Sequence, residues 1–318
     1  MAEGGTGREQ PSRGVVAAFV ALAVLAGPAS SYLFLLFALH WQTHAGEAIS
    51  YLIAGFGLLL LSLVRRQPML GAGEWVALLA LLFPQWLLMI LAAPYVGYLP
   101  WLHATPAGAT LLLTIAAPLW LGLLSALELV REPVPRNAIG AGIAGVGTVF
   151  LVVPLEDLSI RPNQIPVLLM QMLLNILAVW TWVYAARRLR KTSATAAAGS
   201  FLLLCALGNW GVWLIFERAT MQPLEWSNTT AAALLQDAVV AGCLWWLWFC
   251  LLQRMTLAAF AMRPLAMWAA AIVPGHALFG LMNWRIDAAL AIAVGAIVVA
   301  LLARVAEEQP VALGLGAP

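Results

Sequence analysis

Residues 104–153 read ATPAGATLLLTIAAPLWLGLLSALELVREPVPRNAIGAGIAGVGTVFLVV. Between two apolar runs, 105–129 and 135–154, lies a short segment with Arg131, and Arg136 follows at the start of the second run. Each run is close to the length of about 20 apolar residues that a helix needs to cross a bilayer. The stretch therefore predicts two membrane-spanning helices joined by a positively charged loop.

The same alternation of apolar runs and short polar gaps continues through the whole chain. Apolar residues make up 63% of the 318 residues and charged residues only 9%, more apolar surface than a soluble domain could bury. The first run is too long for the core of a cleaved signal, which has roughly 7–15 residues, so it predicts a membrane anchor. We predict an all-α polytopic membrane protein with ten transmembrane helices, at 15–39, 47–64, 74–98, 105–129, 135–154, 163–186, 195–216, 229–252, 256–281 and 285–305.

The positive charges predict the orientation of these helices. All of the 16 Lys and Arg residues except Arg161, Arg218 and Arg285 lie on one side of the predicted topology or within the span nearest to it. Because cytoplasmic loops retain Lys and Arg, both the N-terminus and the C-terminus are expected to be cytoplasmic. The preference for Arg over Lys, with many Ala and Leu residues, is typical of a bacterial genome rich in G and C. We therefore expect a multi-pass protein of the inner (cytoplasmic) membrane.

A shift of 148 residues superposes the ten spans as two sets of five, and it places Trp120 on Trp268. Because five is an odd number, the second set must enter the membrane from the opposite side, which makes an inverted repeat. We divide the chain into a flexible cytoplasmic N-terminus, a first five-helix repeat, an outer linker, a second five-helix repeat and a cytoplasmic tail, at 1–14, 15–154, 155–162, 163–305 and 306–318.

The opening stretch also resembles the fourth and fifth helices of the EamA-type drug/metabolite transporter (DMT) superfamily. The resemblance rests on Pro118 in mid-helix, Glu132 at the inner turn, and Gly140 with Gly147 in the next helix. The start of the second half, VLLMQMLLNILAVWTWVYAARRLRKTSATAAAGSFLL, resembles the sixth and seventh helices of that family. Five plus five spans with both ends inside agree with it. The resemblance implies a transporter.

Charged residues inside apolar spans are costly and therefore mark candidate functional sites. Asp237 lies about 12 Å from the outer edge of its span, and Arg263 about 10 Å from the inner edge of its own. We expect these two residues to pair or to face one cavity, where they could recognise a charged substrate or form a proton-linked switch. In the alternative interpretation Arg263 extends to the cytoplasm and Asp237 belongs to a local polar network.

Polar, aromatic and proline residues inside the spans supply the remaining candidates. Pro84, Pro118 and Pro264 interrupt the backbone hydrogen bonds beside aromatic residues, which could form kinked binding elements or only packing kinks. His276 could titrate at physiological pH, although its position near a span end is readily hydrated. The candidates for a substrate cavity are Tyr32, Gln85, Trp86, Trp120, Gln171, Asn175, Asp237, Trp245, Arg263 and Trp268, and the candidates for coupling or switching are Asp237, Arg263 and His276.

Several classes of function lack the necessary motifs. No cluster of Cys and His has the spacing of a metal site, and no phosphate-binding loop is present, so we expect no metal, no other cofactor and no direct use of ATP. No basic face with interleaved aromatic residues suggests a nucleic-acid partner. Small residues in span five permit close backbone approach and could serve a homodimer through spans five and ten: Gly140, Gly142, Gly145 and Gly147.

These patterns predict a secondary transporter rather than an enzyme. We expect it to export small metabolites, amino acids or amphipathic compounds across the lipid bilayer by alternating access, driven by a proton gradient or a substrate gradient. One alternative is a membrane enzyme acting on a lipid-linked substrate. Such an enzyme would need a cluster of acids, His or basic residues at one interface, where His103, Glu156, Asp157 and Arg161 come nearest. A second alternative is a non-transporting scaffold or sensor, which would need neither buried charges nor symmetric kinks.

Overall fold

The computed structural model describes residues 13–38, 43–90, 107–130, 134–218, 226–278 and 283–302. Within these ranges the side chains of 27–38, 43, 89–90, 107, 157, 216–217 and 274–278 are not described. The regular elements of the described ranges are helices. They are α1 Arg13–Ala38, α2 Thr43–Val64, α3 Ala72–Ile90, α4 Ala107–Ile115, α5 Ala117–Ala126, α6 Arg136–Val152, α7 Ile165–Arg188, α8 Ala194–Val212, α9 Asn228–Arg254, α10 Leu257–Ala261, α11 Arg263–Leu278 and α12 Trp284–Leu302, with short 3-10 helices at Leu155–Leu158, Pro162–Gln164 and Leu189–Lys191 and a π-helical turn at Trp213–Glu217.

Several of these helices can span a membrane. In the described ranges five are long and apolar enough to do so, and α4 with α5 makes a sixth span that is bent by 49°. Four further apolar helices have shorter described stretches, at Arg13–Ala26, Ala72–Leu88, Arg136–Val152 and Leu257–Val273. In the residues that it describes, the structure therefore confirms an all-helical fold with several apolar helices of membrane-spanning length.

The distribution of side chains suits a bilayer better than water. Large apolar side chains lie exposed on the outward faces of the helices, for example Phe56 on α2, Leu173 on α7 and Leu207 on α8. Small polar side chains such as those of Ser62 and Ser200 are buried between helices. Exposure to water would cost about 25 cal/mol per Å² of this apolar surface, whereas lipid tails are as apolar as leucine and impose no such cost.

Two apolar segments are broken at equivalent places near a proline. Helix α4 ends at Ile115 and α5 begins at Ala117, with Pro118 in its first turn. Similarly, α10 ends at Ala261, and α11 has Pro264 as its second residue. Proline lacks a backbone N–H and is best accommodated in the first turn of a helix, so the break and the new helix start have one cause. By contrast, α3 continues through Pro84 without a break.

The helices of the first half pack mainly on helices of the second half. Helix α2 lies along α8, and α6 lies along α12. The contact of α3 with α7 has a counterpart in the contact of α1 with α9, and the contact of α5 with α7 has a counterpart in that of α1 with α11. The shift of 148 residues maps each of these helix contacts onto its counterpart. The packed interior of the molecule is therefore formed between the two halves.

Glycine allows α2 and α8 to approach closely. A Cβ atom built on Gly199 would lie 3.0 Å from the carbonyl oxygen of Gly55 and 3.0 Å from Cγ of Leu59. A Cβ atom on Gly55 would in turn lie 3.0 Å from the carbonyl oxygen of Gly199. The two backbones are thus in direct contact at this crossing, as small residues permit between membrane helices.

The four glycines of α6 divide between two faces of that helix. Cβ atoms on Gly142 and Gly145 would lie 2.9 Å from Cβ of Pro118 and 2.8 Å from Cδ2 of Leu265. Cβ atoms on Gly140 and Gly147 would meet nothing within 4 Å. The first two glycines therefore serve packing within the chain, and the homodimer remains a prediction that concerns the open face.

Candidate functional site

A cavity of about 490 Å³ lies between the two halves of the chain. Helices α1, α3 and α4 of the first half supply Leu22, Gln85 and Thr114 to its wall. Helices α9 and α11 of the second half supply residues that include Leu244 and Trp268. The wall is mostly apolar with a few polar groups, and the volume falls in the range of roughly 300–1,000 Å³ found for small-molecule sites.

Arg263, the first residue of α11, brings a positive charge to the wall of this cavity. The side chain is buried, with 8% of its surface exposed. Its guanidinium carbon lies 4.5 Å from the ring centre of Phe260, 4.8 Å from that of Trp182 and 5.0 Å from that of Trp248. We call Trp182, Trp248 and Phe260 the aromatic cage. A desolvated cation over one such ring gains about 2 kcal/mol, so the cage holds the guanidinium in place.

The three rings of the aromatic cage support one another. Phe260 packs edge-to-face against Trp182, with ring centres 5.5 Å apart and planes at 87°. It packs in the same manner against Trp248, at 5.1 Å and 82°. Such pairs prefer this geometry because the edge of one ring is positive and the face of the other is negative. Because the rings come from α7, α9 and α10, the cage also fixes these helices around Arg263.

The charge of Arg263 is not balanced by an acidic side chain within the part of the chain that the structure describes. Its Nη1 atom is buried and has no hydrogen-bond partner there. A buried charge without a counter-ion costs several kcal/mol, and aromatic rings offset only part of this amount. The wall of the cavity therefore carries an uncompensated positive charge beside apolar surface.

The ion pair that we expected between Asp237 and Arg263 is not formed in the structure. Arg263 lies against Trp248, eleven residues beyond Asp237 on α9 and hence about 16 Å away along the helix axis. The cavity wall includes Arg263 but not Asp237. The expectation assumed that both spans run straight through the membrane. The break at Met262 instead directs Arg263 toward the aromatic cage.

Asp237 belongs to a second polar group, between α2, α8 and α9. Its side chain is buried beside Ser50, whose hydroxyl donates to the backbone carbonyl of Leu234 at 3.2 Å, and its Oδ2 atom has no hydrogen-bond partner among the described residues. Tyr51 lies within electrostatic range of both Asp237 and Glu47. The amide of Asn209 donates to Oε2 of Glu47 at 3.1 Å. We call Glu47, Tyr51, Asn209 and Asp237 the acidic cluster. Glu47 was not among the predicted site residues, because it is the first residue of the predicted span 47–64.

Trp120 closes the break between α4 and α5 instead of lining the cavity. Its Nε1–H donates to the carbonyl oxygen of Leu113 at 2.8 Å. Leu113 is in the last turn of α4, where carbonyl groups lack partners within the helix. Its counterpart under the repeat, Trp268, does line the cavity. Trp120 and Trp268 are therefore equivalent in the repeat but make different contacts.

Three further cavity candidates, Trp86, Gln171 and Asn175, lie outside the cavity wall, the first two at contacts between helices and the third bonded within α7. The indole of Trp86 packs on Gly208, where a Cβ atom would lie 2.6 Å from its Nε1. Gln171 accepts a hydrogen bond from the hydroxyl of Thr110 at 3.3 Å, which joins α7 to α4. The amide of Asn175 donates to the backbone carbonyl of Gln171 at 2.8 Å.

Of the predicted cavity residues, the structure brings four together around the cavity: Gln85, Trp245, Arg263 and Trp268. The side chains of Tyr32 and His276 lie outside the described residues. Sequence reasoning missed the aromatic cage. Trp248 stood in a noticeable run of tryptophans, but Trp182 and Phe260 had no signal of their own in a chain with 15 Trp and 11 Phe.

The comparisons with known proteins bear on the fold. No protein-family model matches the sequence. No curated protein matches it either. Several solved structures match it, among them a crystal structure of a protein with a TM-score of 0.67 at 16% sequence identity, over 91% of this chain and 96% of the other. The two chains therefore share a helical fold over nearly their whole lengths, and at this identity the similarity concerns the fold alone.

Proposed function

We propose that this protein is a secondary transporter that exports small metabolites, amino acids or amphipathic compounds by alternating access. The observation that carries the proposal is the position of the cavity. Its wall combines α1, α3 and α4 of the first half with α9 and α11 of the second half. A change in the relative position of the halves would therefore open the cavity to one side of the membrane and close it to the other.

The contacts between equivalent helices of the two halves support a ten-helix inverted repeat. Such a repeat is the proposed basis of this motion. Equivalent helices meet in the pairs α2 with α8 and α6 with α12, as they would around a pseudo-two-fold axis. The near-reciprocal contact of Gly55 and Gly199 lies at one of these crossings. With the alternation of positive charges, this arrangement supports cytoplasmic termini in an inner membrane. It also agrees with the resemblance to EamA-type transporters.

The acidic cluster is proposed as the element that couples transport to a proton gradient. Two carboxyl groups, those of Glu47 and Asp237, lie within electrostatic range of Tyr51 between α2, α8 and α9. Ionisable groups inside a membrane span commonly act as proton relays in transporters. Protonation of Asp237 would change the charge between helices of opposite halves and thereby favour one packing over the other.

Flux through proteoliposomes tests this function. Purified protein is reconstituted, and the uptake of a panel of labelled amino acids and amphipathic compounds is measured with and without a pH gradient. We expect saturable flux of at least one class, reduced by Trp268→Ala in the cavity wall. The matched control is Trp246→Ala, because Trp246 is 40% exposed on the neighbouring helix α9. Absence of flux for every compound, from protein with native helix content, would exclude a transporter of these substrates.

A further inference from the structure

We propose that the cavity selects compounds that carry a carboxylate on an apolar or aromatic body, and that Arg263 binds the carboxylate. The proposal rests on the proposed function only in treating the cavity as the substrate site. It goes further by specifying that the substrate is negatively charged and has an apolar or aromatic body.

The aromatic cage determines the surroundings of the guanidinium of Arg263. Three ring centres lie 4.5–5.0 Å from its central carbon. A guanidinium has five N–H donors around the edge of a plane, and aromatic rings engage its faces rather than satisfy these donors. A carboxylate can accept two parallel hydrogen bonds from that edge. The aromatic cage therefore holds the side chain in one place at the cavity wall, and its Nη1 has no hydrogen-bond partner among the described residues.

The charge balance at the cavity wall favours a negatively charged compound. In the part of the chain that the structure describes, the residues that line the cavity include no acid, and Nη1 of Arg263 has no hydrogen-bond partner. An arriving anion would supply the missing counter-ion. A cationic compound would be repelled, and a neutral compound would leave the buried charge unbalanced. The site thus favours an anion over isosteric neutral or cationic compounds.

The rest of the cavity wall is mostly apolar and aromatic. Leu22, Leu244 and Met267 are apolar, and Trp268 offers an aromatic surface. Gln85 and Thr114 add neutral polar groups. A compound that fills this space would place an aliphatic or aromatic body against these side chains and its carboxylate at Arg263. An inorganic anion would leave the apolar wall without contacts and is a poorer fit.

The test compares three probes that share one body: 3-phenylpropionate, 3-phenylpropionamide and 3-phenylpropylamine. Binding to the full-length protein in detergent is measured by calorimetry and by thermal stabilisation, since a ligand of the folded state raises apparent stability. We expect the carboxylate to bind roughly 10–100-fold more tightly than the amide, the range expected for a hydrogen bond to a charged group. The amine should bind more weakly still.

Two substitutions and one control locate the effect. Arg263→Gln should abolish the preference for the carboxylate over the amide, and Arg263→Lys should retain part of it, because lysine keeps the charge but loses the paired donors. Arg254→Gln is the matched control, because Arg254 is exposed at the end of α9. It should leave all three affinities unchanged.

Each outcome decides the proposal. Equal binding of carboxylate and amide to the wild-type protein would overturn it, whether or not Arg263→Gln folds, and would leave the transport function standing. Failure of all three probes to bind would also overturn it. The flux assay would then decide separately whether the protein transports other compounds. A preference that survives Arg263→Gln would assign the anion to another residue and refute the role of Arg263.

Discussion

The crossing of α2 and α8 offers a sharp test of the packing, through the substitution Gly199→Ala. The new methyl group would lie 3.0 Å from the carbonyl oxygen of Gly55, 3.0 Å from Cγ of Leu59 and 3.1 Å from the backbone nitrogen of Leu59. Two of these three atoms belong to the backbone of α2, which cannot move away as a flexible side chain would. The helices must therefore separate to accept the methyl group.

The size of the effect follows from these distances. Contacts with carbon are most favourable at about 3.5–4.0 Å, so α2 and α8 would separate by about 0.5 Å, which forfeits roughly a quarter of the attraction between facing atoms. Overpacking of this kind costs about 1–3 kcal/mol. The greater helix propensity of alanine returns up to about 1 kcal/mol. We expect a net loss of about 1–2 kcal/mol.

The assay is thermal unfolding in detergent, followed by circular dichroism. A loss of this size should lower Tm by roughly 1.5–3 °C for a chain of this length. Gly57→Ala is the matched control on α2, because a Cβ atom there would meet nothing within 4 Å. It should leave Tm unchanged or raise it slightly. Equal Tm values for the two variants would refute the direct backbone contact between α2 and α8.

Three further substitutions test individual interactions. Trp120→Phe keeps an aromatic ring but leaves the carbonyl of Leu113 without its donor, so we expect a loss of about 1 kcal/mol in thermal unfolding. Gly208→Ala places a methyl group 2.6 Å from Nε1 of Trp86 and should destabilise the protein by about 1–3 kcal/mol. Combining it with Trp86→Leu should relieve most of that loss, as a double-mutant cycle would measure. Asp237→Asn should remove the response of flux to a pH gradient while probe binding at the cavity is retained, because Asp237 is not part of the cavity wall and Leu244, the nearest wall residue on α9, lies about 10 Å away along the helix.

Each of these three has its own control or contrary result. Trp246→Phe replaces an exposed indole and should cost nothing, so equal losses for it and Trp120→Phe would contradict the role of Trp120 at the helix break. Additive losses in the cycle of Gly208 and Trp86 would show that the two residues do not interact. Asp287→Asn replaces an exposed carboxylate of α12. A flux that responds to pH alike in this control and in Asp237→Asn would exclude Asp237 as the coupling group.

Some features of the structure could be predicted because they depend on nearby residues. A proline in an apolar run limits the local backbone whatever surrounds it, so breaks beside Pro118 and Pro264 followed directly from residue type. Pro84 shows the limit of this reasoning, since α3 continues through it. Whether a proline breaks a helix or is only accommodated depends on the helices packed around it.

The site was harder to predict because it depends on the rotation and bending of helices. Depth along a span, estimated from the helical rise, placed Asp237 and Arg263 at similar levels. Depth does not determine which neighbour a side chain faces. In the structure Asp237 lies beside Ser50 of α2, whereas Arg263 lies in the aromatic cage formed by residues of α7, α9 and α10. Trp120 and Trp268 show the same limit, since equivalent positions in the two halves face different surroundings.

The sequence alone determined the class of the protein, an all-helical chain with apolar segments of membrane-spanning length. It could do so because hydrocarbon offers no hydrogen-bond partners, so each apolar segment must satisfy its own backbone as a helix. Only the tertiary structure decided that Arg263 lies in an aromatic cage beside a cavity, with no acidic partner among the described residues, while Asp237 lies in a separate cluster. The reason is physical: the direction of a side chain is set by helix rotation and break angles, which contacts between residues distant in the chain determine.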